Sequence, residues 1–205
     1  MSLGKDLAEF LITVFQAFSK WFKRKPKTNN IDFDVLASMR LTLELGEMIA
    51  DLFQDTKVTR SVMLVLINGK TDFRTTTVVF SHHAVSRQVQ FSIGPVGSYS
   101  NMEIDDYYRV MVKSVEQNGI SRQSRSNMPD CMLKSIYESE GVNHSNIYLI
   151  HRFQDFDGKG NDAVLIKSIG THYEDGFTNV EELRIKIVVD WIKSKYIPGI
   201  KISPK

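Results

Sequence analysis

The run Ser61-Val-Met-Leu-Val-Leu-Ile67 decides the fold. It has strand length and no polar interruption after Ser61, so it reads as a central strand covered on both faces. Asn68-Gly69 follows at once and signals a turn. Beyond it, residues 73–90 are rich in Thr and Val (Thr75, Thr76, Thr77, Val78, Val79, Val85, Val89), the composition of one long strand or two short ones. Ile93-Gly94-Pro95-Val96-Gly97 breaks the pattern as a loop. Further on, Asn146-Ile-Tyr-Leu-Ile-His-Arg-Phe153 and Ala163-Val-Leu-Ile-Lys-Ser-Ile169 read as two more strands, which Asp157-Gly158-Lys159-Gly160 joins into a hairpin.

Helices surround these strands. From Asp34 to Gln54 a narrow polar stripe (Arg40, Glu44, Glu47, Asp51, Gln54) faces a broad apolar surface, so the helix is buried on more than one side. Ser100-Asn-Met-Glu103 resembles a capping box opening a helix to about Glu116, which Asn118-Gly119 ends. Residues 120–126 form a short polar strand or loop. Pro129 begins a small helix that Gly141 closes. Thr178-Asn-Val-Glu181 is a second capping box, opening a last helix that runs to about Tyr196 and stops before Pro198. Antiparallel strands flanked by helices define an α+β fold.

The chain has 205 residues, 42% of them hydrophobic and 24% charged, enough for a full core without staples. Cys131 is the single cysteine, which excludes an intrachain disulfide and cysteine-paired zinc sites and points to a reducing, cytoplasmic compartment. The net charge of +2 is uneven. Residues 1–30 hold Lys5, Lys20, Lys23, Arg24, Lys25 and Lys27 against Asp6 and Glu9, a surplus of four, which leaves the body at −2. A basic nucleic-acid footprint is therefore not expected.

From Leu3 to Lys23 the residues sort by helical period. Leu3, Leu7, Phe10, Leu11, Val14, Phe15, Ala17, Phe18, Trp21 and Phe22 fill one arc, and polar residues fill the other apart from Ile12. Pro26, within Lys23-Arg24-Lys25-Pro26-Lys27, ends the helix near Lys25. Glu9 and the polar face argue against a secretory signal or a transmembrane span. Two readings stay open: an interfacial helix whose Phe and Trp enter a membrane surface while the basic residues meet anionic headgroups, or a helix that packs on protein. The division follows: an amphipathic anchoring helix at 1–25, a polar linker at 26–31, the α+β domain at 32–197 and a tail at 198–205.

Motifs for chemistry are sparse. His82-His83 are strand neighbours and point to opposite faces, so they do not chelate one metal. Residues 155–162 lack the Glu that closes a calcium loop. Asp105 and Asp106 complement a helix dipole, and Asp106 with Arg109 forms an i, i+3 surface pair. Ser121-Arg-Gln-Ser-Arg-Ser126 reads as a solvated basic loop able to hold an anion. No phosphate loop, nucleophile elbow or trio of nucleophile, base and orienter is seen. No catalytic residue, metal or cofactor is expected.

The element order resembles a GAF or PAS-type sensor domain over residues 33–197. The helix from Asp34, the strand Arg60–Ile67 with its Asn68-Gly69 turn, the helix Asp105–Glu116, the hairpin Ile147–Ile169 and the final helix carry the likeness. More distantly it is similar to the globular part of T-even phage holins and related phage proteins, although the N-terminal segment does not look able to span a membrane. The GAF/PAS resemblance implies a small-molecule pocket between sheet and cap, and subunits paired through terminal helices. The expected function is a non-catalytic sensing or binding domain tethered by residues 3–27 to a membrane surface or larger assembly. The alternative is a phage structural, assembly or lysis-control protein, virion-associated, whose first helix docks on protein.

Overall fold

A computed structural model describes residues 35–69, 72–86, 102–103, 105–154 and 162–199. The anchoring helix, the linker, the 157–160 turn, the 93–97 loop and residues 200–205 of the tail lie outside them.

Helix α1 (Val35–Asp55) leads into β1 (Arg60–Gly69) and β2 (Asp72–Val85), followed by the two-residue β3 (Met102–Glu103). Helix α2 (Asp106–Asn118), β4 (Ile120–Ser124), a 3₁₀ turn (Arg125–Asn127) and α3 (Met132–Ser139) come next. The hairpin β5 (His144–Phe153) and β6 (Ala163–Thr171) precedes α4 (Asn179–Trp191). The six strands order as β3-β2-β1-β6-β5-β4, all neighbours antiparallel. The fold is α+β, an antiparallel sheet flanked by helices. Among the described residues no helix is long and apolar enough to cross a membrane.

Strand alternation explains the two layers. Met63 of β1, Leu165 and Ile169 of β6 and Tyr148 of β5 pack with Leu45, Ile49 and Leu52 of α1 and Ile185, Val188 and Val189 of α4. Val62, Leu64 and Leu66 of β1, Val164 and Ile166 of β6 and Ile147 of β5 pack with Tyr108, Met111, Val112 and Val115 of α2 and Leu133 and Tyr137 of α3. β6, covered on both faces, is buried at every residue, including Lys167, Ser168 and Thr171.

Of the Thr- and Val-rich residues 73–90, those up to Val85 form one strand, β2, and residues 87–90 lie outside the described residues. Three boundaries differ from expectation. Met102 and Glu103 pair with Thr76 and Thr75 in the sheet instead of opening a helix. Asp105 takes the cap, because its carboxylate accepts from Tyr108 N–H at 2.8 Å and from Met132 N–H at 2.6 Å, joining two helix starts at once. The small helix starts at Met132, with Cys131 as its cap, three residues after Pro129. The last helix does not stop before Pro198. A π-helical turn (Ile192–Tyr196) follows α4, and Ile197–Gly199 continue it as a helical turn. Ile197 N–H reaches back five residues to Ile192, and this wider turn relieves the clash a proline ring makes with the carbonyl four residues before it.

Candidate functional site

Among the described residues, an open surface rich in polar groups lies between β4 and α4. β4 ends the sheet. Gly119 C=O accepts from Leu149 N–H and Arg125 N–H donates to Asn143 C=O, so the odd-numbered residues of this stretch bond β5. By antiparallel alternation, Ile120, Arg122 and Ser124 turn their backbone groups away from the sheet.

Arg122 spans the groove. Its Nε and Nη2 donate to Glu182 Oε1 and Oε2 at 2.9 and 2.8 Å, and Asn146 Nδ2 adds a third bond to Oε1 at 3.1 Å. The Arg122 guanidinium holds the Glu182 carboxyl below the usual carboxylate range. On one side of this bridge is a cleft of about 400 Å³ lined by Tyr107, Ser124, Asn127, His144, Asp175 and Phe177. On the other is a cleft of about 450 Å³ lined by Ile120, Tyr148, Leu183, Lys186, Asp190 and Lys193. Arg122 and Glu182 belong to both.

The walls are fixed by local bonds. Tyr107 Oη donates to Gln123 Oε1 at 2.7 Å, and His144 Nε2 lies 2.8 Å from the Glu174 carbonyl. Gly176 adopts φ +64°, and a Cβ there would sit 3.2 Å from the His144 ring. The capping box at Thr178 forms as expected: Glu181 N–H donates to Thr178 Oγ1 at 3.3 Å, and Thr178 N–H to Glu181 Oε2 at 2.8 Å. Burial works to raise the Glu181 carboxyl, and the Thr178 and Lys57 N–H groups outweigh it, so the group is held low. The groove thus offers hydrogen-bonding edges and an apolar floor at Ile120 and Tyr148, with the exposed Leu183 at its rim, and no paired nucleophile and base among the described residues.

A second polar group is internal. Arg60, at the start of β1, is 5% exposed and forms an ion pair with the buried Glu140 at the end of α3. Its Nη1 donates to Ser168 Oγ at 3.2 Å, Ser145 Oγ lies 2.9 Å from that hydroxyl, and the Tyr137 ring centre is 5.9 Å from the guanidinium carbon. Burial raises the Glu140 carboxyl, and the Arg60 charge offsets this only in part. On the opposite face of the sheet, Lys167 of β6 is fully buried. Its amine has no hydrogen-bond partner among the described residues.

Cys131 is half-buried, its Sγ accepting from Lys134 N–H at 3.4 Å. Asp106 and Arg109 form the expected pair. His82 and His83 stand on β2 opposite Met63 and Val62; their side chains are outside the described set. No group of three or more His, Cys, Asp or Glu able to hold a metal occurs among the described residues. The 121–126 stretch is not a free loop: it forms β4 and the 3₁₀ turn, and its Arg122 is committed to Glu182. The anchoring residues Leu7 through Lys27 lie outside the described residues. Sequence reasoning missed Arg60, Glu140, Lys167 and Glu182; a lysine inside the apolar run of β6 was the available signal for one of them.

No family model matches the chain, and no curated protein matches it. Among solved structures it is similar to the GAF domain of a two-component sensor histidine kinase from Bacillus halodurans, at 14% identity over 75% of this chain and 90% of that one, with a TM-score of 0.49. It is also similar to a phycocyanobilin-bound GAF domain from a cyanobacterial phytochrome (11% identity, 80% and 93% covered, TM-score 0.40). A phycoerythrobilin-bound GAF domain from a cyanobacterial phytochrome gives 9% identity, 80% and 93% coverage and a TM-score of 0.43. These similarities concern the overall course of the chain and assign no residue a role.

Proposed function

We propose that this chain is a non-catalytic binding domain, tethered through residues 3–27 to a membrane surface or a larger assembly, that meets its ligand or partner in the groove between β4 and α4. The observation that carries the binding half is the pair of clefts sharing the Arg122–Glu182 bridge beside an edge strand with outward backbone groups. An extended or polar partner meets donors, acceptors and an apolar floor there. The tether rests on the sequence alone: an apolar arc containing Phe10, Phe15, Phe18, Trp21 and Phe22, followed by a basic run.

Flotation with vesicles containing anionic lipid tests the tether, comparing the full chain with one lacking residues 1–28. The full chain floats and the shortened chain stays in solution; equal soluble fractions remove the membrane from the reading. The second reading, a structural or assembly protein of viral type in which the same segment docks on protein, is favoured by the exposed apolar residues of α4. Oligomers that depend on concentration, vanish with the segment and ignore lipid would decide for it.

A further inference from the structure

The outer face of α4 carries Val180, Leu183 and Ile187, exposed at 66%, 60% and 57%. Their spacing of three and four residues sets them in one stripe, which the half-buried Trp191 continues by a turn. The opposite side of the helix is already committed to the core through Ile185, Val188 and Val189. Large apolar side chains in line on a helix that is otherwise satisfied mark a surface awaiting a cover.

The flank of this surface is acidic. α1 runs antiparallel to α4: Asp55, at its end, accepts from Arg184 near the start of α4 at 2.8 Å, and Thr42 bonds Tyr196 beyond the end of α4. α1 holds Glu44, Glu47, Asp51 and Asp55 against Arg40, a net charge of −3. Glu47, Asp51 and Asp55 are exposed.

We infer that residues 3–23 of the same chain cover this stripe, their apolar arc on Val180, Leu183, Ile187 and Trp191 and their basic residues beside α1. Three properties of the chain select this occupant. The segment has a single apolar arc, rich in Phe, that a helix on α4 would hide. Residues 1–30 carry a surplus of four positive charges, complementary to the acidic flank. As a helix, 21 residues measure about 31 Å, the length of α1 itself, and the 11-residue connection at 24–34 reaches at most about 40 Å. The chain can therefore turn back at the start of α1 and lay the segment antiparallel to α1 and parallel to α4. The inference does not rest on the membrane reading. Lipid and α4 compete for one arc, so a membrane draws on the fraction in which the segment is released.

The two tryptophans, Trp21 and Trp191, allow a test on full-length protein. In Trp191→Phe, acrylamide quenching reports on Trp21. Without lipid, Trp21 is shielded independently of protein concentration, and adding Leu183→Asp and Ile187→Asp abolishes the shielding while cooperative unfolding by circular dichroism persists. In Trp21→Phe, quenching reports on Trp191, and Phe15→Asp with Phe18→Asp increases its exposure; this arm stands if the first double variant fails to fold. Three results overturn the inference: a freely quenched Trp21 in the parent, shielding unchanged in Leu183→Asp/Ile187→Asp, or shielding that grows with concentration alongside dimer in sedimentation, which makes a second copy the occupant. Vesicle flotation of the same variants separates the two ideas. Failure to float sinks the tether and leaves the quenching result standing.

Discussion

Replacing Lys167 with Met probes the energetics of the core directly. Lys167 faces Met63 on β1 and Tyr148 on β5, on the side of the sheet under α1 and α4. Its amine is fully buried and lacks a hydrogen-bond partner among the described residues. Burial first, and the Arg60 charge second, lower its pKa from 10.5 to about 7. The sign follows from proton binding. The unfolded chain keeps the proton up to about pH 10.5, whereas the folded chain releases it near pH 7. Stability therefore rises with pH between these values and is flat below. At about 1.4 kcal/mol per pH unit, the amine costs up to about 5 kcal/mol at and below pH 7. Relaxation and water entry reduce this, so the expected gain for Lys167→Met at pH 6–7 is roughly 2–5 kcal/mol. The advantage shrinks as pH rises from 7 towards 10, leaving the smaller cost of a buried neutral amine. Urea unfolding of both proteins at pH 6, 7, 8 and 9 measures it, and taking the difference cancels the other titrating groups. A pH-independent difference, or a wild type more stable than the Met variant at pH 7, would refute the reasoning, because the amine would then have a partner that holds its charge.

Glu140→Ala strands the Arg60 guanidinium inside the protein and should cost about 3–5 kcal/mol, while Arg60→Met with Glu140→Leu recovers most of that; urea midpoints for the two variants check it. Thr178→Ala removes the cap of α4 and should cost about 1 kcal/mol, read as a fall in Tm of about 2–4 °C. Gly176→Ala forces a side chain into the left-handed region and against His144, costing about 1–2 kcal/mol from the backbone alone; unchanged thermal unfolding would contradict the φ of +64°.

What was legible in the sequence was whatever local chemistry determines. β1 announced itself as a central strand because both faces are apolar, and its pairing with β2 on one side and β6 on the other bears this out. Thr178 and Glu181 were readable as a capping box because both halves of the motif close within three residues. Ser100 to Glu103 carries the same local pattern, yet Met102 and Glu103 go to the sheet edge against Thr75 and Thr76. The competitor, Asp105, gains from Met132, 27 residues away, a bond that local pattern does not encode. The site was hidden for the same reason. Arg122 looked like part of a solvated loop because its partner, Glu182, lies 60 residues further on. Arg60 and Glu140 are likewise charged residues whose burial follows only from tertiary assembly.

The contrast between the two arginine pairs shows where this fold can yield. Arg60–Glu140 is enclosed, so removing either partner leaves a charge without water or counter-charge. Arg122–Glu182 has side chains 61% and 26% exposed, and a pair so open to solvent contributes no more than about 1 kcal/mol. A partner lying along β4 across both clefts would displace that bridge at small cost, and each freed group would face water or the partner instead of the core. The short, polar edge strand also discourages indiscriminate strand pairing, since Arg122 stands at its centre. A partner that satisfies Arg122 and Glu182 can use the outward backbone groups of Ile120, Arg122 and Ser124, whereas one that leaves the two charges unmatched meets an opposing term at the middle of the contact. Selectivity in the proposed groove would then come from a weak bridge over a floor in which Tyr148 belongs to the core beneath α1 and α4 and Ile120 packs against it.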